Sequence, residues 1–429
     1  MTINHHITDL NILTEILPVF NYTNNRFSEQ VLAELLTKPL PSIAAIIGRQ
    51  QVLQGFVKNY RILQSYNYAK AEFAEVHQFV EQVAEPVPNH WMALFTNKDE
   101  LQVLISRYAQ FVLFFDRLLQ QWIAAINRTI FPEVYRGQPE AMEQLLTFFD
   151  LRYYAERLNE NRFGRKEVRQ LSQKIAARKK DGSWSLFWSR LFLFEAYTSI
   201  SIAIVRHRFT FPVPGAKALT IRDLYHPLVK EPAKNDIHIT KQVCLLTGPN
   251  MAGKSTLLRS IGLCVFLAHT GLAIPASFAE IPFFDHISVF INHRDDLQNG
   301  YSHFMYEIKN LKEVLQHTAA GRRCFAIFDE LFKGTNQEDA LAITTATIEG
   351  LSRTDTSCFL ISTHLHALKE TPAVAGNATH VYHIACVIEN GRPGFTYKLG
   401  SGWSDLRIGR LLFEAEGLFE LLNRQPTGA

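Results

Sequence analysis

Apolar residues follow a helical period through the first half of the chain. From residue 8 to about 206 they recur three or four positions apart, as in Leu10, Leu13 and Leu17, and strand-like alternation is scarce. Prolines and the turn at 181–183 divide this half into several helices. The pattern predicts an all-α domain over residues 1–210.

The pattern changes after a segment rich in proline and glycine at 211–217. Short β-rich apolar runs then alternate with helical ones, at Val243–Thr247, Cys324–Asp329 and Cys358–Thr363. Such runs are typical of parallel strands buried on both faces, and the dipeptide at 390–391, Asn-Gly, predicts a hairpin. The predicted fold class is therefore α plus α/β, with a second domain over 218–429 that contains a mostly parallel sheet and a β-hairpin.

Composition excludes several classes of protein. With 429 residues, 47% hydrophobic and 20% charged, the chain has enough apolar material for two cores and is not disordered. Five cysteines without a close pair fit a reducing compartment and no zinc site. No signal peptide is visible, and Arg190 and Glu195 interrupt the apolar stretch at 185–205. This stretch predicts a buried helix rather than a membrane span, so we expect a cytoplasmic protein without a membrane partner.

The net charge of +3 conceals a local excess of positive charge. Residues 151–200 carry 11 basic and 5 acidic side chains, a net of +6. Four of these cations share one face of a predicted helix, at i, i+3, i+4 and i+7: Arg162, Arg165, Lys166 and Arg169. Such a face suits a DNA phosphate backbone, and a merely solvated helix surface is the alternative.

The clearest chemical motif directly follows the first β-rich run. Residues 248–255 satisfy the pattern G-x-x-x-x-G-K-[ST], in which a curled backbone and a helix N-terminus bind phosphate. Lys254 is predicted to contact the β- and γ-phosphates, and Ser255 to ligate Mg²⁺. The predicted nucleotide-binding residues are Gly248, Pro249, Asn250, Met251, Ala252, Gly253, Lys254, Ser255 and Thr256.

Two carboxylates end the second β-rich run. Asp329 is predicted as a Mg²⁺ ligand, and Glu330 as the residue that orients and deprotonates the attacking water. His364 follows the third run, where it would sense the γ-phosphate or assist the water, unless its role is structural. The sequence thus predicts ATP and Mg²⁺ as cofactors, with Lys254, Glu330 and His364 as catalytic residues.

Several segments, in this order, resemble the MutS family of DNA mismatch-repair ATPases. They are YHPLV at 225–229, TGPNMAGKST at 247–256, DDLQNGYSHFMYE at 295–307, FDELFKGTN at 328–336 and STH at 362–364. The resemblance implies a P-loop ATPase domain of the ABC type. The helical half more loosely resembles the family's lever domain. The family's mismatch-reading and connector domains would precede residue 1. We therefore expect this chain to bind DNA without mismatch specificity.

The resemblance also assigns roles to individual residues. Ser302 would act in trans at the γ-phosphate of a partner's site, which implies a homodimer formed through the ATPase domain. Asn250 would contact phosphate, and residues 333–336 would lie at the shared interface. The predicted helical tail, Leu406–Asn423, resembles a partner-docking region or is local core.

Three functions stay open at this point. The first is a MutS-like ATPase that couples hydrolysis at a composite dimer site to DNA binding in mismatch repair or related transactions. The second is a nucleotide-controlled dimeric scaffold that acts on a protein partner. The third, an ATPase subunit of a membrane transporter, fits the long helical half less well.

Overall fold

The chain divides into two compact units. The computed structural model describes residues 5–83, 86, 98–249, 252–291, 303–375, 379–389, 392–403, 413–414 and 416–423. One unit, the helical unit, comprises Ile16–Lys38 and Gly48–Arg208, and the other, the sheet unit, comprises Met1–Glu15, Pro39–Ile47 and Phe209–Ala429. Residues 1–15 and 39–47, which lie in the predicted helical half, thus cluster with the sheets.

Helices make up the N-terminal half, as its apolar period predicts. They are α1 (Leu17–Phe20), α2 (Arg26–Thr37), α3 (Ile43–Lys58), α4 (Tyr60–Leu63), α5 (Lys70–Gln82), α6 (Lys98–Leu118), α7 (Glu133–Thr147), α8 (Leu151–Asn159), α9 (Arg165–Lys180) and α10 (Ser183–His207). Short π and 3-10 segments occur at Thr8–Leu10, Ile12–Ile16, Leu119–Ile123 and Arg128–Ile130. Where residues 17–207 are described, they contain no strand.

Helix α10 lies at the centre of the helical unit. Its residues from Phe194 to Ile204 are all buried, because it is apolar around most of its circumference. This confirms the predicted buried helix over 185–205. Among the described residues, no helix is long and apolar enough to cross a membrane.

Glu195 is a buried carboxylate in the middle of α10. Its oxygens accept hydrogen bonds from Asn25 Nδ2 at 2.9 Å and Tyr66 OH at 3.3 Å, and also from Tyr68 OH and the Asn24 N–H. Asn25 caps the start of α2 by accepting the backbone N–H of Ser28 at 2.9 Å. Glu195 therefore fixes the beginning of α2 against the central helix of its unit.

The sheet unit contains two sheets. Their strands are β1 (Val213–Pro214), β2 (Leu219–Leu224), β3 (Asn235–Ile239), β4 (Val243–Thr247), β5 (Phe278–Ile281), β6 (His286–Phe290), β7 (Cys324–Phe328), β8 (Cys358–Ser362), β9 (Thr379–Glu389) and β10 (Arg392–Ser401). The larger sheet has the order β10-β9-β4-β8-β7-β6, and all of its pairs are parallel except β9 with β10. This confirms the mostly parallel sheet and the antiparallel strand pair of the hairpin, whose predicted turn at 390–391 lies outside the described residues.

Helices and a smaller sheet complete this unit. The helices are α11 (Lys254–His269), α12 (His303–Ala319), α13 (Gln337–Ser352), α14 (Pro372–Ala375) and α15 (Leu418–Asn423), with a 3-10 segment at His366–Glu370. The smaller sheet, β1-β5-β2-β3, was not predicted. Residues 406–412 and 415 of the predicted tail lie outside the described residues, and in α15 Leu418, Leu421 and Leu422 are exposed.

The first described residues pair with β6. His6 forms a parallel bridge with Ser288, and the Asp9 carboxylate accepts the backbone N–H of Ile291 at 2.8 Å. Leu10 packs closely against Gly262 of α11: a Cβ atom added to that glycine would lie 3.2 Å from Cδ2 of Leu10. The N-terminal segment is therefore part of the core of the sheet unit.

Candidate functional site

The predicted phosphate, metal and water-activating residues converge at one edge of the larger sheet. Strands β4, β8 and β7 are parallel neighbours, so their carboxyl ends meet at the same edge. The segments that follow these ends carry Lys254, Asp329 with Glu330, and His364. Ligands of open parallel sheets bind at this edge.

The glycine loop joins β4 to α11. Gly248 and Gly253 have φ angles of +133° and +92°, which side-chain-bearing residues rarely adopt, so glycine is required at both positions. Gly253 is also the N-cap of α11, and Ala252 is fully buried. The first N–H groups of a helix have no acceptor within it, so this end favours an anion. Asn250 and Met251 lie outside the described residues.

Lys254 is a buried cation at the start of α11. Its ammonium donates to the carbonyls of Gly248 at 2.7 Å and Pro249 at 3.1 Å, and lies 3.9 Å from Glu330 Oε1. Burial lowers the pKa of Lys254, while the charges of Glu330 and Asp329 oppose this shift. The lysine is thus positioned inside the curl of the glycine loop.

Asp329 links the glycine-loop helix to the neighbouring strand ends. Its Oδ2 accepts the hydroxyl of Ser255 at 2.5 Å, and its Oδ1 accepts the hydroxyl of Ser362. Ser362 is fully buried and its oxygen also accepts the backbone N–H of Glu330 at 2.8 Å. Hydroxyl and carboxylate oxygens are ligands that Mg²⁺ prefers. Ser362 had no predicted role beyond its place in the STH segment.

Glu330 is a mostly buried carboxylate held between two lysines. Its Oε2 accepts Lys333 Nζ at 2.6 Å, opposite the contact with Lys254. Burial raises the pKa of Glu330, but the hydrogen bond and charge of Lys333, followed by the charges of Lys254 and His364, outweigh burial and leave the pKa below its ordinary value. His364 is exposed just beyond β8. Glu330 is therefore ionised at neutral pH.

Glu307 of α12 lies next to the turn that carries Glu330. Glu330 and Phe332 have φ angles of +52° and +63°, which are strained for residues with side chains. The Glu307 carboxylate lies near the backbone of Phe332 and Lys333, and burial raises its pKa to about 7. A buried carboxyl group thus lies beside the strained turn, and the sequence predicted no role for it.

A cavity of about 340 Å³ opens beside the glycine loop. Its lining includes Thr256 and Gly253 from the loop, together with Tyr225 and Tyr397. A Cβ atom added to Gly253 would lie 3.1 Å from the Tyr397 ring, so the ring packs directly against this glycine. Asn235 Nδ2 donates to the Tyr397 carbonyl at 3.0 Å. Tyr225 belongs to the segment at 225–229 that resembles the family. No sequence signal indicated that Tyr397 lines a site, because the hairpin brings it to the loop from far along the chain.

The basic surface of α9 differs from the prediction at one residue. Arg165, Lys166 and Arg169 are exposed on α9 and form no ion pair within the described part of the chain. The prediction that Arg162 shares their helical face was wrong. The helix begins only at Arg165, because Glu167 accepts the Gly164 N–H at 2.9 Å and so fixes the helix start.

Two features predicted for the dimer interface, Ser302 and the segment at 333–336, stay predictions. Ser302 lies outside the described residues, as does most of the 295–307 segment. Asn336, in the segment expected at the interface, caps α13 by accepting the backbone N–H of Asp339 at 2.9 Å. Its side chain therefore already has a structural role.

The sequence of the sheet unit matches one protein family. Residues 244–417 match the family model described as MutS domain V. Proteins named DNA mismatch repair protein MutS are similar to this chain. One from Thermus thermophilus is 36% identical over 228 residues, or 52% of this chain and 27% of that protein. The one from Macrococcus caseolyticus is 33% identical over 217 residues, or 48% of this chain and 25% of that protein.

A third relative, from Desulfitobacterium hafniense, is 34% identical over 235 residues, which are 52% of this chain and 27% of that protein. This chain thus spans about a quarter of the length of the curated relatives it matches. The family match and these identities agree with the order of motifs around the glycine loop. Residues 244–417 of this chain therefore match a domain of the MutS family.

Proposed function

We propose that this protein binds and hydrolyses ATP, and that it couples this activity to DNA in mismatch repair or a related DNA transaction. One observation carries the proposal: Lys254, the Ser255–Asp329 pair and Glu330 meet at the carboxyl ends of the parallel strands β4 and β7, which lie on either side of β8. A cation, two oxygen donors for a metal and an ionised base are the parts that phosphoryl transfer requires.

Each residue has a defined part in the proposed reaction. Lys254 and the N–H groups of the glycine loop, from Gly248 to Thr256, bind the phosphates and neutralise their charge. Ser255 and Asp329 would hold Mg²⁺, which would neutralise charge on the phosphate oxygens. Glu330 orients the attacking water and accepts its proton. His364 lies close enough for its charge to act on Glu330 and assists there.

The cavity beside the loop is proposed to accept the adenine base. Tyr225 and Tyr397 line it and offer aromatic surfaces, while the lining is otherwise largely apolar. The cavity adjoins Gly253 and Thr256, so a base bound there would lie next to phosphates at the start of α11.

The match to the MutS family supports a dimeric arrangement. In this proposal two sheet units associate as a homodimer, and Ser302 of one protomer completes the ATP site of the other. Phosphoryl transfer in such a site would depend on protein concentration, because the dimer must form before Ser302 is in place.

DNA binding is proposed for the exposed cations of α9. Arg165, Lys166 and Arg169 have no competing acidic partner among the described residues, so they are available to the phosphate backbone. Contacts of this kind carry no sequence information, and the proposal includes no mismatch specificity for them.

One observation favours the alternative, a nucleotide-controlled dimeric scaffold acting on a protein partner. Other cations of the basic stretch are already paired with carboxylates. The pairs are Arg152 with Glu156, Arg157 with Glu167, Arg162 with Glu160, Lys174 with Asp150 and Arg178 with Asp181. This pairing reduces the positive field that DNA would meet.

ATP turnover by the purified chain tests the central proposal. Lys254→Ala should abolish turnover and weaken ATP binding, whereas Glu330→Gln should retain binding and lose hydrolysis. Lys312→Ala, an exposed lysine of α12, is the matched control. Normal turnover in Lys254→Ala would refute the assignment. Binding to duplex, mismatched and branched DNA, with and without a nonhydrolysable ATP analogue, separates the DNA-coupled ATPase from the scaffold.

A further inference from the structure

Three potential metal ligands meet between β6 and the end of α12. A nitrogen of His286, a nitrogen of His317 and a carboxylate oxygen of Glu313 all lie within 4.8 Å of one another. His286 begins β6, while Glu313 and His317 are one turn apart on α12. Because β6 and β7 are parallel, the cluster lies at the opposite edge of the sheet from Asp329. It is separate from the proposed ATP site.

We propose that this cluster binds a divalent transition-metal ion, best matched by Zn²⁺, through His286, Glu313 and His317, with water in a fourth position. Two imidazoles and one carboxylate form a donor set that suits this ion. With bonds of about 2.1 Å, a tetrahedral zinc ion places its ligands about 3.4 Å apart, so small side-chain rotations suffice.

The placement of His286 supports this site. Its side chain is fully buried, and Nε2 lies 4.0 Å from Glu313 Oε1, so this nitrogen faces the other ligands. Nε2 also contacts Ser288 Oγ at 2.7 Å, and a bound ion must therefore displace that hydroxyl.

His5 lies beside the cluster. Its ring stacks on that of His286, and its Nδ1 accepts the backbone N–H of Ile287 at 3.1 Å, so that nitrogen is already occupied.

Arg322 competes with the ion for one ligand. Its Nη1 donates to Nδ1 of His317 at 3.0 Å, which occupies that lone pair and gives the other ring nitrogen the proton. A metal ion bound to His317 must therefore displace the guanidinium. Removal of Arg322 should tighten metal binding, an effect that nonspecific adsorption of metal would not show.

Metal titration of the full chain tests the site. The protein is treated with a chelator, freed of nucleotide, and titrated with Zn²⁺ by calorimetry and with Co²⁺ by visible absorption. We expect one equivalent to bind, a coloured cobalt complex, and a raised Tm. His317→Ala and Glu313→Ala should each weaken binding at least tenfold, and Arg322→Gln should strengthen it severalfold.

Two variants serve as controls. His366→Ala removes an exposed histidine elsewhere in the sheet unit, and Asp329→Asn removes the carboxylate proposed for Mg²⁺. Neither should change zinc affinity. Absence of stoichiometric binding, or equal affinity in His317→Ala and Glu313→Ala, would overturn the proposal. If His317→Ala fails to fold by circular dichroism, the half-buried Glu313 decides the outcome.

Discussion

The Ser362 hydroxyl donates to Asp329 Oδ1 and accepts the backbone N–H of Glu330, so one buried side chain holds both proposed functional carboxylates. Ser362 ends β8 and Asp329 directly follows β7, its parallel neighbour. The position of Asp329 therefore depends on the pairing of these strands as well as on its own segment.

Ser362→Ala should reduce ATP turnover about tenfold or more, because a hydrogen bond to a charged group contributes about 1.5–3 kcal/mol and Asp329 would lose its orientation. Steady-state kinetics at several Mg²⁺ concentrations measure this. Ser357→Ala is the control, since Ser357 accepts the Cys324 N–H at the other end of the same strand pair. It should lower stability and leave turnover unchanged; equal losses of turnover in the two variants would contradict the positioning role.

Lys333→Met should move the acid limb of the pH–rate profile to higher pH. Lys333 holds the pKa of Glu330 below its ordinary value, so its removal allows burial to raise that pKa. Glu330 would then be protonated, and inactive as a base, at pH values where it is ionised in the unaltered protein. Turnover measured from pH 4 to pH 8 tests this. Lys312→Met should leave the profile unchanged, and an unmoved limb in Lys333→Met would argue against Glu330 as the base.

Glu307 should make the sheet unit less stable as pH rises. Its pKa of about 7 lies above the ordinary 4.5, so the folded state binds more protons than the unfolded state between these values. The resulting stabilisation is present below pH 4.5 and is lost as pH rises through 7. The free energy of unfolding, measured in urea at pH 5 and pH 8, should therefore fall less between these pH values in Glu307→Gln than in the unaltered protein. An identical difference in both proteins would refute the shift.

Glu195→Ala should destabilise the helical unit by about 3 kcal/mol or more, because it leaves buried donors of Asn25, Tyr66 and Tyr68 without their acceptor. Urea unfolding followed by circular dichroism measures this. Glu140→Ala, at an exposed position of α7, should change stability by about 0.5 kcal/mol or less. Equal effects of the two substitutions would contradict the structural role of Glu195.

Charge reversal of Arg165, Lys166 and Arg169 should lower DNA affinity at least tenfold at low salt, and should reduce the salt dependence of binding. Fluorescence anisotropy with labelled duplex DNA measures both. The control reverses Arg152 and Arg162, which already pair with Glu156 and Glu160, and should have a smaller effect. Unchanged affinity in the triple variant would favour the scaffold function.

Local patterns predicted the features that depend on local sequence. The apolar stretch at 185–205 identified α10 as buried, and the glycine spacing located the loop before Lys254. The start of α9 was predicted too early, because the spacing of the cations indicated a helix that already contains Arg162. The contact of the Gly164 N–H with the Glu167 carboxylate fixes the start at Arg165 instead.

Features that depend on distant pairing were not predicted. Strands β3 and β5 lack the continuous apolar runs by which β4, β7 and β8 were predicted, and both pair with β2. Tyr397 likewise reaches Gly253 only through the hairpin. Glu307 shows no signal of its own, because its role depends on the strained turn beside it.

The bridge between the first described residues and β6 has a consequence for biosynthesis. The contact between His5 and Ile287 joins positions 282 residues apart. Contacts at such separations form late, because a long loop must first be closed. During translation the N-terminal segment must therefore wait until most of the chain has left the ribosome. A fragment that begins at residue 209 would also leave one edge of β6 exposed to association with other chains.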